Sequence, residues 1–319
     1  MWKSLKAQLL EIGTVQLCGV NASNFEAKST SGPGTEGRGS VFFSYEGHRV
    51  RLSVVDVSPI TIRHIGGGTV ILTYGYIEVL GKLEKPGSHC PKQAYITING
   101  SCMFHCKYCA VPSNASPIKS ADEIVSLVRE AGDIEAISLT GGIMDSAVEE
   151  EARTLAIIQS LEVFNLPIGV AIYPVQGTAH RLHSAGVAEV KFNLETATPE
   201  LFSEMCPCMD RDTINTELDK AVQLFGKNNV FTNLIFGLGE TDEEMKDAID
   251  ELCSRGIIPT LRPFSPGGEL KTFPRPKFKR IMDLYKYHSA ALAANDLDTC
   301  KAKTMCIACT GCDMVPGRD

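Results

Sequence analysis

No run of apolar residues in this chain is long enough to cross a bilayer. The longest, at 70–72 and 168–172, fall far short of the roughly 20 residues a membrane helix needs. A secretory signal is missing as well. Met1-Trp2-Lys3-Ser4-Leu5-Lys6 opens a short amphipathic stretch containing Gln8 and Glu11, without the apolar core and small-residue cleavage site of an export signal. These absences argue for a soluble, cytoplasmic protein with no membrane role. There is no basic excess either. Lys and Arg number 31 against 38 Asp and Glu, a net charge of -7, which argues against a dedicated nucleic-acid binder. The one basic run holds Lys271, Arg275, Lys277, Lys279, Arg280 and Lys286. It reads as a solvated helix face, with a docking surface for an acidic protein as the alternative. With 44% hydrophobic and 22% charged residues, the composition is that of a folded chain, and its length allows one large core or two modest ones.

Cysteine is what the chain has in plenty. Twelve cysteines in 319 residues, with no export signal, point to metal or catalysis rather than disulfides. Seven fall in two tight groups, at 102–109 and 300–312; the others are Cys18, Cys90, Cys206, Cys208 and Cys253.

Along the chain, residues 1–30 read as a short helix and a polar segment, and the glycine-rich stretch 32–39 as a flexible loop. Alternating apolar patterns at 41–45, 50–55 and 69–80 predict a small antiparallel β-rich unit within residues 1–90. Gly66-Gly67-Gly68 reads as a turn rather than a phosphate cradle, since no helix follows it. After Pro91, short apolar runs near 95–98, 134–139, 168–173, 189–194, 230–236 and 257–262 alternate with helical patterns. Six β/α units predict an α/β fold, a partial (β/α)6 TIM-type barrel over 91–275. A helix near 277–294 and a cysteine-rich tail complete the division, at 276–319.

Ser101-Cys102-Met103-Phe104-His105-Cys106-Lys107-Tyr108-Cys109 follows the first barrel strand, in the loop where barrel enzymes place their sites. Three thiolates so spaced can hold one face of a cubane and leave the fourth iron open. Zinc wants a fourth ligand; His105, inside the same loop, is awkwardly placed to supply it.

This Cys-x3-Cys-x2-Cys spacing, with an aromatic before the last cysteine, resembles the signature of the radical S-adenosylmethionine superfamily. Three further segments resemble that family's motifs in order. Ile137–Gly142, ending in Gly141-Gly142, is similar to the strand end that holds the methionine amino group, although Ile143 stands where an acid is usual. Phe192-Asn193-Leu194-Glu195-Thr196 resembles the strand end that grips the ribose, and the run 234–240, with Ile235, the strand lining the adenine. The resemblance covers about 91–270. It implies a 4Fe–4S cluster on Cys102, Cys106 and Cys109, and S-adenosylmethionine against Tyr108, Gly141, Gly142, Asn193, Glu195 and Ile235. A ferredoxin- or flavodoxin-type electron donor is implied with them.

The tail repeats short metal-ligand spacing in Cys306, Cys309 and Cys312, with Cys300 upstream. A second iron–sulfur cluster is the favoured reading; zinc on four cysteines and unliganded cysteines are the alternatives. Cys206-Pro207-Cys208 is poorly arranged to bind one ion, and one of the two is a candidate for a substrate or cluster role. Cys18, Cys90 and Cys253 read as structural, although Cys90 lies near the first motif in sequence. His89 and Tyr173 are candidates to approach the site, with packing as their default. Arg262, at the end of the sixth strand, suits a substrate carboxylate. Within the superfamily the chain most resembles the biotin synthase group, while the N-terminal β unit and the clustered tail cysteines depart from biotin synthase itself. The resemblance extends to the archaeal-type, two-protein lipoyl synthases. It implies a sulfurtransferase acting on an acyl-carrying protein, together with a second radical S-adenosylmethionine subunit. A radical mutase, lyase or methylase with a relaying tail cluster, and a non-enzymatic iron–sulfur carrier, are the alternatives.

Overall fold

The computed structural model describes residues 1–28, 38–86, 90, 92–113 and 116–319. Most of the glycine-rich loop, and His89, therefore lie outside the described residues.

Helix α1 (Trp2–Ile12) buries Trp2, Leu5, Leu9 and Leu10 and stops at Gly13. Gly13 takes φ 69 and returns its N–H to Leu9 O, a left-handed cap that a Cβ would disfavour. Six strands follow: β1 (Thr14–Gly19), β2 (Gly39–Tyr45), β3 (His48–Val54), β4 (Ile60–Gly66), β5 (Thr69–Tyr74) and β6 (Ile77–Leu83). They close into a barrel in the order β1-β3-β2-β6-β5-β4. Gly66-Gly67-Gly68 turns β4 into β5, as its sequence context predicts.

The wholly antiparallel unit predicted from the sequence needs correction. Strand β1 lies in the segment read as polar, and it pairs parallel with both β3 and β4, closing the sheet. Only Val15 of β1 is fully buried, so the strand has no alternating pattern, and its partners lie far along the chain. Local periodicity carries no trace of it.

The second sheet is built as the β/α alternation predicts. Strands β7 (Gln93–Thr97), β8 (Ala136–Thr140), β9 (Ile168–Ala171), β10 (Glu189–Lys191), β11 (Val230–Phe236) and β12 (Ile258–Pro263) run parallel in sequential order. The connecting helices are α2 (Ala121–Glu130), α3 (Ala147–Leu161), α4 (Thr178–Ser184), α5 (Pro199–Met205), α6 (Arg211–Phe225) and α7 (Asp242–Ser254). Ser120 with Glu123 and Thr241 with Glu244 form capping boxes that start α2 and α7, each cap contributing about 1 kcal/mol. Helix α8 (Phe278–Ala294) packs on α1 and α7, and the short α9 (Met305–Cys309) lies in the tail. One continuous apolar core joins both sheets, from Val41 and Phe43 to Phe192 and Phe231.

Candidate active site

A cavity of about 500 Å³ runs through the parallel sheet, and both cysteine groups open onto it. At its mouth, Cys102, Cys106 and Cys109 sit in the loop after β7. Main-chain bonds pin that loop from several sides: Met103 N–H donates to Ile143 O at 2.6 Å, Lys107 N–H to Met205 O at 3.0 Å, and Glu269 N–H to Lys107 O at 2.8 Å. Two glycines let the backbone pass this close. A Cβ on Gly142 would stand 2.1 Å from Ser101 O, and one on Gly268 would stand 2.5 Å from Lys107 O.

Beside these thiols the Asn193 and Asn233 side chains hydrogen-bond the Glu195 carboxyl, yet three polar atoms of this group stay without partners. Asn193 Oδ1, Glu195 Oε2 and Asn233 Oδ1 are buried with no hydrogen-bond partner, and all three residues line the cavity. Buried acceptors without donors are costly, about 1–3 kcal/mol each, and mark a place where a ligand supplies donors. Glu195 adds backbone strain. It takes φ 64, a left-handed conformation rare for a side chain of its size. Glu195 N–H donates to Asn233 O and Ile235 N–H to Glu195 O, each at 2.8 Å, which holds the strained turn. Burial pushes the Glu195 carboxyl up from its ordinary value, opposed by the Lys191 and Arg262 cations. Asn233 is absent from the sequence-based set. Its signal is a buried amide in β11, a fully buried strand that is apolar apart from Asn233 and Thr232.

Tyr108, Gly141, Gly142 and Ile235 line the same cavity. Tyr173 does too, edge-on to Phe104 at 5.0 Å. Cys206 is buried against the motif, 3.7 Å from Tyr108 Oη and in contact with Cys106, whereas Cys208 is exposed.

At the other end the tail plugs the N-terminal edge of the sheet. Glu189 accepts the N–H groups of Lys303 and Thr304 at 2.8 Å each. Met305 N–H donates to Gln93 Oε1 and Ser138 Oγ, also at 2.8 Å. Gly169 leaves room for Thr304, whose Oγ1 would lie 2.0 Å from an added Cβ. Cys306, Cys309 and Cys312 then face the cavity from below. Cations surround them. Lys191 Nζ and Arg49 Nη1 donate at 3.4 Å to the sulfurs of Cys306 and Cys309 respectively, and Tyr95 Oη lies 3.6 Å from Cys306. Burial acts to raise the Cys306 thiol, but Lys191 and Arg262 outweigh it and bring it below its ordinary value. A hydrogen bond from Cys90, helped by Arg49, brings Cys309 down to about 6. Cys312 is instead raised, by burial that Arg51 and Arg262 only partly oppose, and the thiols at the mouth are raised as well. Burial pushes Cys109 up to about 12 and raises Cys102, while contact with Cys206 and burial raise Cys106.

Two sequence-based expectations change here, for Cys300 and Arg262, and the structure places Cys90, which the sequence reads as structural. Cys300 is exposed, its sulfur 3.4 Å from Gly317 O, and it does not join the other tail thiols. It sits within a short 3-10 turn, Thr299–Lys301, which residues 302–304 separate from α9. Arg262 lines the cavity, but its Nε and Nη2 already bind both Asp313 oxygens at 2.9 and 3.1 Å. The fork expected to take a substrate carboxylate holds one of this chain's own. Cys90 lies not at the first motif but beside Cys309, because β7 carries the chain from one end of the sheet to the other. Among the described residues, no three His, Cys, Asp or Glu converge on a single ion; thiolates on separate irons of a cubane need not do so.

A parallel α/β partial barrel with thiols and orphaned acceptors around one cavity suits an iron–sulfur cofactor. Residues 96–252 match the radical SAM superfamily. That segment, about half of the chain, is a radical SAM superfamily domain. It is 23% identical over 201 residues to the GTP 3',8-cyclase of Syntrophomonas wolfei, covering 60% of this chain and 61% of that one. It is 30% identical over 163 residues to the biotin synthase of Persephonella marina, covering 47% and 46%. These matches span less than two thirds of either relative. Methylornithine synthase shares the fold at a TM-score of 0.53 and 18% identity, over 61% of each chain. The hydrogenase maturase of Carboxydothermus hydrogenoformans does so at 0.51 and 19%, over 62% of this chain and 52% of that one.

The superfamily's cofactors fit the residues present. Cys102, Cys106 and Cys109 would hold the 4Fe–4S cluster, and the acceptors Asn193, Glu195 and Asn233 match the ammonium and hydroxyl donors of S-adenosylmethionine. When bound, the pair supplies a 5′-deoxyadenosyl radical able to abstract hydrogen from an unactivated C–H bond. The chain's own part is to orient and to exclude water. Gly142 lets the β8 end close on the cysteine loop, the Glu195 turn aims a carboxylate inward, and apolar walls such as Ile235 and Phe264 border the site.

Proposed function

We propose that the protein inserts sulfur at unactivated C–H bonds, in the manner of a lipoyl synthase, with a second iron–sulfur cluster on the tail thiols as the sulfur source. The observation that carries this reading is that Cys306, Cys309 and Cys312 open into the same cavity as Cys102, Cys106 and Cys109. An electron relay needs only proximity, whereas a sulfur donor needs access to the substrate carbon. Strand β7, five residues long and so on the order of 13 Å from end to end, leads into the loop that carries the first group, and its Gln93 and Tyr95 touch the tail. The likeness to biotin synthase supports the same chemistry.

The substrate in this reading is an octanoyl chain on a lysine of an acidic carrier protein. A ferredoxin- or flavodoxin-type donor supplies electrons, and a second radical S-adenosylmethionine subunit shares the work. Within the basic run, Arg275 bonds Ser265, Lys277 pairs with Glu11, Lys279 with Asp283, and Arg280 with Glu240 and Asp242. Lys271 and Lys286 are exposed and are the carrier-facing charges of this proposal.

The test is mass spectrometry of an octanoyl-lysine peptide incubated anaerobically with the reconstituted protein, reductant and S-adenosylmethionine, with candidate partners present. Sulfur-bearing product is expected. Formation of 5′-deoxyadenosine without added sulfur would sink the proposal. The likeness to a GTP cyclase favours a second reading, a radical reaction in cofactor-precursor synthesis with the tail cluster as relay. Cys309→Ala separates the two, since a relay variant keeps some turnover and a sulfur-source variant keeps none.

A further inference from the structure

Cys90 precedes β7, and neither the motif at the mouth nor the tail spacing accounts for it. Its side chain is buried, at 4% exposure, in a small cluster with Phe42 and Cys309 that Tyr95 borders. The Cys90 and Cys309 thiols are in hydrogen-bonding contact. Two thiolates on one tetrahedral metal, at bonds of about 2.3 Å, stand about 3.8 Å apart and require such closeness. Gln93 Nε2 donates to the Cys90 sulfur, a bond that suits an anionic acceptor. Cations border this pocket: Arg49, itself paired with Glu84, reaches Cys309, Lys191 reaches Cys306, and Arg262, paired with Asp313, flanks Cys306 and Cys312. Buried thiolates need such compensation. Cys300, which sequence spacing offers as the fourth ligand, is exposed and turned to Gly317 O.

We infer that Cys90 is the fourth protein ligand of the tail metal centre, sharing one iron with Cys309, and that Cys300 is not a ligand. The inference rests on the reading of the tail thiols as a metal centre. It gives that centre ligands from two distant parts of the chain. One comes from the segment joining the β barrel to the parallel sheet, the other three from the tail. Loading the centre therefore ties the tail to the body of the protein.

The test uses the full chain with Cys102, Cys106 and Cys109 changed to Ala, so that only tail iron is counted. It is reconstituted anaerobically with iron and sulfide alone. In this background Cys300→Ala should keep the full iron content and the parent's Mössbauer spectrum. Cys90→Ala should lose half or more of the iron. Cys90→Ser keeps the side chain's size and guards against misfolding; it should retain the parent's circular dichroism while shifting the isomer shift of one iron site. Unchanged iron and an unchanged spectrum in both Cys90 variants would overturn the inference, as would iron loss in Cys300→Ala. A Cys90–Cys309 disulfide persisting in the iron-loaded protein, seen by non-reducing peptide mapping, would also overturn it. A background protein that binds no iron at all would instead remove the tail centre itself, and this assignment with it.

Discussion

At the scale of single residues, the cavity is defined by polar atoms that the fold leaves without partners. Glu195 combines an orphaned oxygen with a left-handed backbone, a strain that persists only where the surroundings enforce it. Glu195→Gln keeps the shape and removes the charge. It should weaken S-adenosylmethionine binding and 5′-deoxyadenosine yield about 10- to 100-fold, the equivalent of one charge-assisted hydrogen bond. Equilibrium dialysis and chromatographic product counts check this, and equal binding by variant and parent would refute it. A second orphan lies away from the cavity. His288 is buried with both ring nitrogens unpartnered, and burial pulls its imidazole down to about 3 from an ordinary 6.5. As pH falls through 6.5 the unfolded chain binds a proton that the folded chain refuses. Stability is therefore lost on acidification between 6.5 and about 3, at up to about 1.4 kcal/mol per pH unit. His288→Leu removes this loss, so its urea midpoint should gain on the parent's as pH drops from 7.5 to 5. Parallel midpoints would disprove the account.

At the scale of elements, two glycines separate the two ends of the cavity experimentally. Gly169 on β9 leaves room for Thr304, and Gly142 after β8 leaves room for Ser101 and Cys102. Gly169→Val should push the tail out and lose tail iron while sparing iron at the mouth. Gly142→Ala should do the reverse, because its obstacle is the backbone of the cysteine loop. Iron counts in the respective triple-cysteine backgrounds check both, and loss at the wrong end would contradict the assignment. The parallel sheet was readable because short runs rich in apolar residues alternate with helical patterns, several of which carry their own start signal, as Thr241-Asp242-Glu243-Glu244 shows at α7. Strand β1 was not, because its burial pattern is irregular and its pairing is entirely non-local.

At the scale of the whole molecule, the tail is fastened at a second place, to a helix at the other end of the sequence. Lys6 on α1 donates to both Asp319 carboxylate oxygens, at 2.6 and 2.7 Å, and to Thr310 O at 2.6 Å. Trp2 Nε1 and Val315 N–H also donate to Asp319, at 3.1 and 2.7 Å. Both side chains of the ion pair are fully buried. Removing one partner of such a pair strands the other charge and costs about 3–5 kcal/mol. Lys6→Met should lower the urea midpoint accordingly, while the double change Lys6→Met with Asp319→Leu should recover much of the loss. A single variant as stable as the parent would show that the clamp contributes nothing.

The sequence by itself determined the β/α alternation and the cysteine loop at the end of the first parallel strand, while Asn193, Glu195 and Ile235 were singled out by resemblance to the family's strand-end motifs. These are local properties: periodicity, capping and ligand spacing are written within a few residues of one another. Only the tertiary structure decided that the tail cysteines enter the barrel from below, that Cys90 joins them while Cys300 does not, and that Arg262 is bound by Asp313. Those outcomes depend on which distant segments pack together, and packing follows from summed burial across the whole core rather than from any spacing along the chain.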